Sequence, residues 1–205
     1  MLDMNNWVFE YNIALNLFST AEQHGEWINN NYGHMVNRIV RYNIFKGGGM
    51  GATGVVVANN NNTDGDQIYG NVVANMRVSN GVFVSSKGQM RNAKIYNNTF
   101  TNVQALANVN IQGGEVFNNL FYANKDYNGN PINHANMYGA ITRQANNLVV
   151  STNPFVSGAD FSLLLALPSG GGTALSSPFN LDMKGRVRGA DGVWDLGAYE
   201  FLSKP

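Results

Sequence analysis

The sequence predicts a right-handed parallel β-helix, a solenoid of about six coils. Three observations predict it. A short pattern with a central asparagine recurs six times, and a β-rich run follows five of the six copies. No window of 10–18 residues carries an apolar stripe at helical spacing. The asparagines also divide the chain, because 32 of the 33 lie in residues 1–153 and only Asn180 lies beyond.

The six copies align without gaps and share one asparagine each. The aligned residues are Asn12, Asn43, Asn71, Asn98, Asn119 and Asn147, at spacings of 31, 28, 27, 21 and 28 residues. Stacked about 4.8 Å apart, their amides can each donate and accept, which predicts an internal asparagine ladder. We also expect these asparagines to take the left-handed backbone of a sharp turn. The variable spacing favours a right-handed β-helix, because a hexapeptide helix needs a six-residue period and a leucine-rich repeat needs fixed leucines.

Alternation along the strands assigns the sides of each coil. The positions three before and two after each ladder asparagine are mostly apolar and are predicted to face the core. The position two before is predicted to face outward, and reads Glu10, Arg41, Tyr69, Tyr96 and Phe117 in successive coils. This register predicts a Glu10–Arg41 ion pair. The aromatic row is either a platform on which sugars stack or an ordinary cross-coil stack covered by a loop.

Composition and missing motifs exclude several classes of protein. The 13 basic residues balance the 13 acidic ones, so the basic footprint of a nucleic-acid-binding protein is absent. With no cysteine there is no disulfide scaffold. There is no apolar run of about 18 residues for a membrane span, no phosphate loop and no nucleophile elbow. The first residues lack a charged region followed by an apolar one, so we expect no signal peptide in this sequence.

Residues 154–205 carry four short motifs in order. They are Asp160-Phe161-Ser162-Leu163, Ser177-Pro178, Asp182-Met183-Lys184-Gly185-Arg186 and Asp195-Leu196-Gly197-Ala198-Tyr199-Glu200. The series resembles the D-F-x-L, S-P, D-x-x-G-x-R and D-[IL]-G-A-x-E closing segment of secreted β-helix proteins of the pectate-lyase-like superfamily. One departure is Phe179-Asn180-Leu181-Asp182, where the usual sequence after S-P is A-I-D. The resemblance implies that 154–205 form the terminal coil or cap of the solenoid built by 1–153. It also implies an extracellular, cell-surface or virion-surface location.

The same resemblance implies a carbohydrate-active protein, and we expect a polysaccharide lyase that acts by β-elimination on an acidic glycan. Such a lyase needs a base and a group that neutralises the substrate carboxylate. The densest ionisable cluster supplies His24 or Lys46 as the base, Arg38 or Arg41 for the carboxylate, and Glu22 or Glu26 as an acid or metal ligand. A solvated polar loop is the alternative interpretation of this cluster.

Further candidates lie in later coils. The predicted substrate-binding residues are Arg38, Tyr69, Tyr96, Phe117, Lys87 and Arg143. Asp64 and Asp66, with Glu22, are the predicted ligands of a Ca²⁺ ion, although their loop also fits a simple turn between coils. We expect Asp182, Arg186, Asp195 and Glu200 to form ion pairs that hold the C-terminal segment.

Two other functions stay open because the superfamily also includes hydrolases, epimerases, phage tailspikes and adhesins. The chain is then a non-catalytic glycan-binding or structural module, or the C-terminal part of a larger β-helix enzyme; as an enzyme it is a lyase or a glycoside hydrolase. The expected partner is a polysaccharide. Because the ladder starts by Asn12 with no preceding cap, we also expect a homo-oligomer formed through the first coil.

Overall fold

The computed structural model describes residues 5–17, 28–30, 34–48, 57–59, 62–75, 82–86, 89–103, 105–106, 111–125, 130–131, 143–167 and 171–201. These residues form twenty short strands and no helix. Accordingly, no helix in this part of the chain is long and apolar enough to cross a membrane.

The strands form four sheets in which every strand pair is parallel. Sheet I contains β1 (Val8–Glu10), β5 (Ile39–Arg41), β9 (Gln67–Tyr69), β13 (Lys94–Tyr96), β17 (Glu115–Phe117) and β19 (Arg143–Ala145). Sheet II contains β2 (Ile13–Leu17), β6 (Ile44–Gly48), β10 (Val72–Ala74), β14 (Thr99–Thr101), β18 (Leu120–Tyr122) and β20 (Leu148–Val150). Sheet III contains β3 (Ile28–Asn30), β7 (Val57–Asn59), β11 (Val82–Ser86) and β15 (Ala105–Leu106). Sheet IV contains β4 (Met35–Val36), β8 (Thr63–Asp64), β12 (Met90–Arg91) and β16 (Ile111–Gln112).

In each sheet, a strand pairs with the equivalent strand one coil further along the chain. This order, with all pairs parallel, is that of the predicted right-handed parallel β-helix, and sheets I and II each have the six predicted coils. Short strands stacked in this way bury their inner side chains against the coil above and below.

The predicted ladder is confirmed at all six asparagines. The side-chain Nδ2 of each donates to Oδ1 of the next, at 3.1, 3.0, 3.0, 3.0 and 2.8 Å from Asn12 through to Asn147. The backbone N–H of each donates to the same Oδ1 atom. The ladder lies at the corner between sheets I and II, so it fixes the register of both.

The coils turn at three corners where the backbone is left-handed, with φ between 52° and 73°. The first stack is Asn6, Asn37, Gly65, Asn92 and Gly113; the second is Tyr11, Tyr42, Gly70, Asn97, Asn118 and Asn146; the third is Asn16, Gly47, Asn75, Asn102 and Ala123. Each stack follows the spacing of the ladder. The ladder asparagines themselves are not left-handed, contrary to expectation; the residue before each of them is. Asparagine and glycine tolerate this conformation best.

The core lies inside the coils, on the two rows predicted to face inward. Val40, Ile68 and Ile95 belong to the first row, and Phe100 and Phe121 to the second; all are fully buried in one cluster. The rings of Phe100 and Phe121 stack with centroids 5.1 Å apart, as the alignment predicts.

The C-terminal segment, residues 154–201, differs from the terminal coil that the resemblance implies. It contributes no strand to the four sheets, and instead lies along the outer sides of the coils. The backbone N–H of Ala198 donates to Thr99 Oγ1 at 2.8 Å, and that of Gly197 to the carbonyl of Asn118 at 2.9 Å. The physical reason is that outer positions of sheet II are apolar: Val72 and Leu120 are completely buried beneath this segment.

Within the segment, the expected ion pairs are present in part. Asp182 pairs with Arg186 at 3.8 Å, whereas Glu200 pairs with Arg188, a residue that the sequence analysis left out, at 3.7 Å. Asp195 forms no ion pair with another described residue, and its Oδ2 accepts the backbone N–H of Phe201 at 2.7 Å.

Candidate functional site

Four of the predicted site residues lie outside the described residues: Glu22, His24, Glu26 and Lys87. Their roles therefore stay predictions.

The three cations of the predicted catalytic cluster do not come together. Arg38 follows the left-handed corner at Asn37 and lies inside the coil with 1% of its surface exposed. Arg41 lies on the outer side of sheet I, and Lys46 lies on the outer side of sheet II, where its Nζ donates to the carbonyl of Gly158 at 2.9 Å. Arg38 and Arg41 lie on opposite sides of sheet I, and the corner at Tyr42 separates Arg41 from Lys46, so proximity in the sequence did not produce proximity in space.

Arg38 and Asp66 form a buried ion pair between the second and third coils. Arg38 Nη2 lies 2.7 Å from Asp66 Oδ2, and Nε lies 3.3 Å from Oδ1. The Thr63 hydroxyl donates to the same carboxylate at 2.8 Å. Arg38 is therefore not available to a glycan carboxylate in this structure, and the prediction that it binds substrate has to be corrected.

The two aspartates predicted to bind Ca²⁺ are separated in the same way. Asp66 faces the interior with its charge paired to Arg38, whereas Asp64 is half-buried and accepts a hydrogen bond from Asn92 Nδ2 at 2.9 Å. Among the residues that the structure describes, no three His, Cys, Asp or Glu side chains form a group that could hold a metal ion. The carboxylates do not converge because one belongs to strand β8 and the other follows the next corner.

The aromatic row is a covered stack, which is the second of the two predicted alternatives. Tyr69, Tyr96 and Phe117 are at most 3% exposed. The ring of Phe179 from the C-terminal segment packs edge-on against both tyrosines, with centroids 4.8 Å apart in each case. The prediction that these three rings form an open sugar platform is therefore wrong for the described structure. The cover is the C-terminal segment rather than a loop.

At the far end of the same face, Arg143 is largely exposed but paired. Its Nη1 lies 3.1 Å from Glu115 Oε1, and its guanidinium lies 5.2 Å from the ring centre of Phe117. The Tyr96 hydroxyl donates to the other carboxylate oxygen of Glu115. Burial and that carboxylate raise the pKa of Tyr96 well above its ordinary value, so its hydroxyl stays protonated.

The outer row of sheet I is partly exposed in the first two coils, where its residues are Glu10 and Arg41. Here Arg41 Nε donates to Glu10 Oε2 at 2.5 Å, which confirms the predicted pair. Its Nη1 donates to the Tyr69 hydroxyl at 2.7 Å. Burial lowers the pKa of Arg41, but the hydrogen bonds to Tyr69 and Glu10 outweigh burial and raise it. The guanidinium is therefore a permanent cation, compensated by Glu10.

Tyr11 completes this open end and is not among the site residues predicted from the sequence. Its side chain is 62% exposed, and its ring packs on that of Tyr42 with centroids 5.3 Å apart. Tyr11 and Tyr42 occupy the same left-handed corner position, one residue before the ladder asparagine. The recurrence of tyrosine at that aligned position is the signal that could have identified it.

We define the first-coil site as Glu10, Tyr11, Arg41 and Tyr42. Burial raises the pKa of Tyr42 to about 12, so this hydroxyl is neutral at physiological pH. The site offers the exposed ring of Tyr11 beside a half-buried carboxylate and a half-buried guanidinium. A ring can stack on the apolar face of a sugar, while these polar groups exchange hydrogen bonds with its hydroxyls.

Comparisons with family models, curated proteins and solved structures find no match to this chain. The fold assignment therefore depends on the strand order and the asparagine ladder themselves. Those observations identify a parallel β-helix.

Proposed function

We propose that this chain is a non-catalytic, carbohydrate-binding β-helix module related to the pectate-lyase-like superfamily. The observation that carries the proposal is that each described cation of the predicted catalytic cluster is already bound within the protein. Arg38 is paired with Asp66, Arg41 with Glu10, and Lys46 with the carbonyl of Gly158. A lyase needs a free base and a free positive charge for the substrate carboxylate.

The first-coil site supports carbohydrate as the ligand. Tyr11 exposes an aromatic ring, and the Glu10 and Arg41 side chains beside it are 35% and 28% exposed. Because Glu10 neutralises Arg41, the pair favours the hydroxyls of a neutral sugar over the carboxylate of a uronate. We therefore expect a neutral, hydroxyl-rich glycan as the ligand, rather than the acidic glycan that a lyase would cleave.

Binding to immobilised neutral and acidic glycans tests this proposal with two variants of one residue. Tyr11→Ala removes the ring and should weaken binding about tenfold, since a stacked aromatic contributes roughly 1 kcal/mol beyond its buried area. Tyr11→Phe keeps the ring and serves as the matched control, so it should retain most of the affinity. Equal binding by wild type and Tyr11→Ala would contradict a role for this site.

The rival lyase hypothesis is tested in the same samples by absorbance at 235 nm, where unsaturated products of β-elimination absorb. We expect no increase with alginate, pectate or glycosaminoglycans, with or without Ca²⁺. An increase that is lost in His24→Ala and Glu26→Gln would establish a lyase and overturn the proposal. If no glycan binds and none is cleaved, the chain is a structural module instead.

A further inference from the structure

The two ends of the described β-helix carry complementary backbone groups. At every step between coils, the N–H that follows a ladder asparagine donates to the carbonyl of the preceding coil's ladder asparagine. The series of five hydrogen bonds begins with Ile44 to Asn12 and ends with Leu148 to Asn119, at distances of 2.8 or 2.9 Å. Because a trans peptide directs its N–H opposite to its C=O, the Ile13 N–H points away from the second coil. By the same geometry, the Asn147 carbonyl points away from the fifth coil.

The ladder ends in the same complementary way. Within the ladder, each asparagine donates from its N–H and Nδ2 to Oδ1 of the next one. In the described part of the chain, Asn147 has no following Oδ1, and its Nδ2 donates only to the Val116 carbonyl at 2.8 Å. Among the described residues, no asparagine before Asn12 donates to its Oδ1. One end of the ladder therefore offers donors and the other offers an acceptor.

Apolar side chains that face inward are less buried at the two ends than in the coils between them. Val149 occupies the inward row whose other members include Phe100 and Phe121, yet it is 54% exposed while they are fully buried. On the first coil, the inward Phe9 is only partly buried, whereas its equivalents Val40, Ile68 and Ile95 are fully buried. Water contact at an inward position is what an uncovered coil end produces. Covering such an end would bury apolar surface and gain free energy.

We infer that a second copy of this chain stacks head to tail, with the first coil of one copy on the sixth coil of the next. The Ile13 N–H then donates to the Asn147 carbonyl, and the Asn147 amide donates to Asn12 Oδ1, so both series continue without interruption. The parallel register places Val149 against Ala14. Because the two surfaces differ, the contact is heterologous and generates an open filament rather than a closed dimer.

Two variants block one end each. Ile13→Pro removes the N–H donor at the free edge of β2, where proline is tolerated because that N–H faces solvent. Val149→Asp places a carboxylate on the exposed sixth-coil end, where a charge opposes edge pairing. Val187→Asp is the matched control, because Val187 is 56% exposed but belongs to the C-terminal segment.

Sedimentation velocity on a dilution series of the 205-residue chain measures the outcome. Wild type and Val187→Asp should increase in mass with concentration. Ile13→Pro and Val149→Asp should each remain monomeric, and an equal mixture should form a heterodimer, since each variant retains one intact end. Association of the two variants in the mixture also shows that both of them are folded.

Three results would overturn the inference. The first is a wild-type chain that stays monomeric at every concentration, as it would if another segment or a ligand covers an end. The second is self-association of Ile13→Pro or Val149→Asp alone, which would mean contact between like ends or through the sides. The third is an equal loss of association in Val187→Asp. None of these measurements involves glycan, so their failure is distinct from failure of the proposed function.

Discussion

At the residue scale, asparagine has two separate purposes in this chain. Six asparagines form the ladder with extended or right-handed backbone, and nine others occupy left-handed corners. The two purposes draw on different properties: an amide that donates and accepts at once, and a short polar side chain that tolerates positive φ. Composition alone shows the abundance of asparagine, but only the register of the coils separates these purposes.

An interior ladder asparagine should contribute far more stability than the terminal one. Asn98 is fully buried; its Oδ1 accepts from the N–H and Nδ2 of Asn71, and its Nδ2 donates to Asn119 Oδ1 and the Ile68 carbonyl. Asn98→Ala leaves several buried polar groups unpaired. We expect a loss of about 3 kcal/mol or more in the free energy of unfolding, measured by urea denaturation.

Asn12→Ala is the matched control for that experiment. Asn12 is exposed, and Asn43 Oδ1 keeps the backbone N–H of residue 12 as a donor after the substitution. Water can replace the lost side-chain bond, so the expected loss is below about 1 kcal/mol. Equal losses at positions 12 and 98 would mean that the ladder does not stabilise the stack through its buried amides.

At the scale of the elements, the sequence predicts strands well and corners poorly. Alternation within a strand correctly placed Val40, Phe45 and Arg41 relative to the core. Across a corner the alternation is interrupted, because a left-handed residue reverses which side the following residue faces. Arg38 and Asp66 each follow such a corner, so alternation continued from the strand before it fails to place them. Counted back from the inward Val40 and Ile68, the same alternation places both inside the coil.

The Arg38–Asp66 pair gives a prediction about the corner between sheets IV and I. Arg38→Met leaves the Asp66 carboxylate buried without its partner and should cost about 3–5 kcal/mol of unfolding free energy. The double variant Arg38→Met/Asp66→Leu removes both charges. It should be close to wild type or more stable, because Arg38 Nη1 is buried without a hydrogen-bond partner even in the native pair.

Thermal and urea denaturation of the two single variants and the double variant form a complete cycle. A double variant that is as unstable as Arg38→Met would contradict the prediction. It would show that the pair contributes through specific geometry rather than through mutual charge compensation.

At the scale of the whole molecule, the C-terminal segment clamps the sides of several coils together. Phe179 packs between Tyr69 and Tyr96 on sheet I, while Leu196 and Ala198 pack on sheet II. Gly197 has φ of 86°, and a Cβ there would lie 2.5 Å from Thr99 Oγ1, so only glycine allows this close approach. The sequence motifs identified the C-terminal segment but not its position, because the same apolar residues could cover either the last coil or the sides of several coils.

The C-terminal segment contains a buried carboxyl group, that of Glu200, whose negative charge opposes folding near neutral pH. Burial raises the pKa of Glu200 to about 7, from an ordinary value of 4.5, despite hydrogen bonds from the Gly189 and Asp195 N–H groups and the nearby Arg188. The folded state therefore holds this proton more tightly than the unfolded state does. The stabilising contribution is complete below about pH 4.5 and is lost as the pH rises through 7.

Glu200→Gln should remove this pH dependence, since a neutral side chain of the same shape replaces the acid. We expect the stability difference between wild type and Glu200→Gln to move in favour of the variant as the pH rises from 5 to 8, measured by urea denaturation at each pH. Burial also raises the pKa of Asp195, but that carboxyl group is common to both proteins and so contributes little to the difference. A difference that stays constant with pH, or moves in favour of wild type, would mean that Arg188 compensates the Glu200 charge fully. The free energy of unfolding would then not depend on protonation of Glu200.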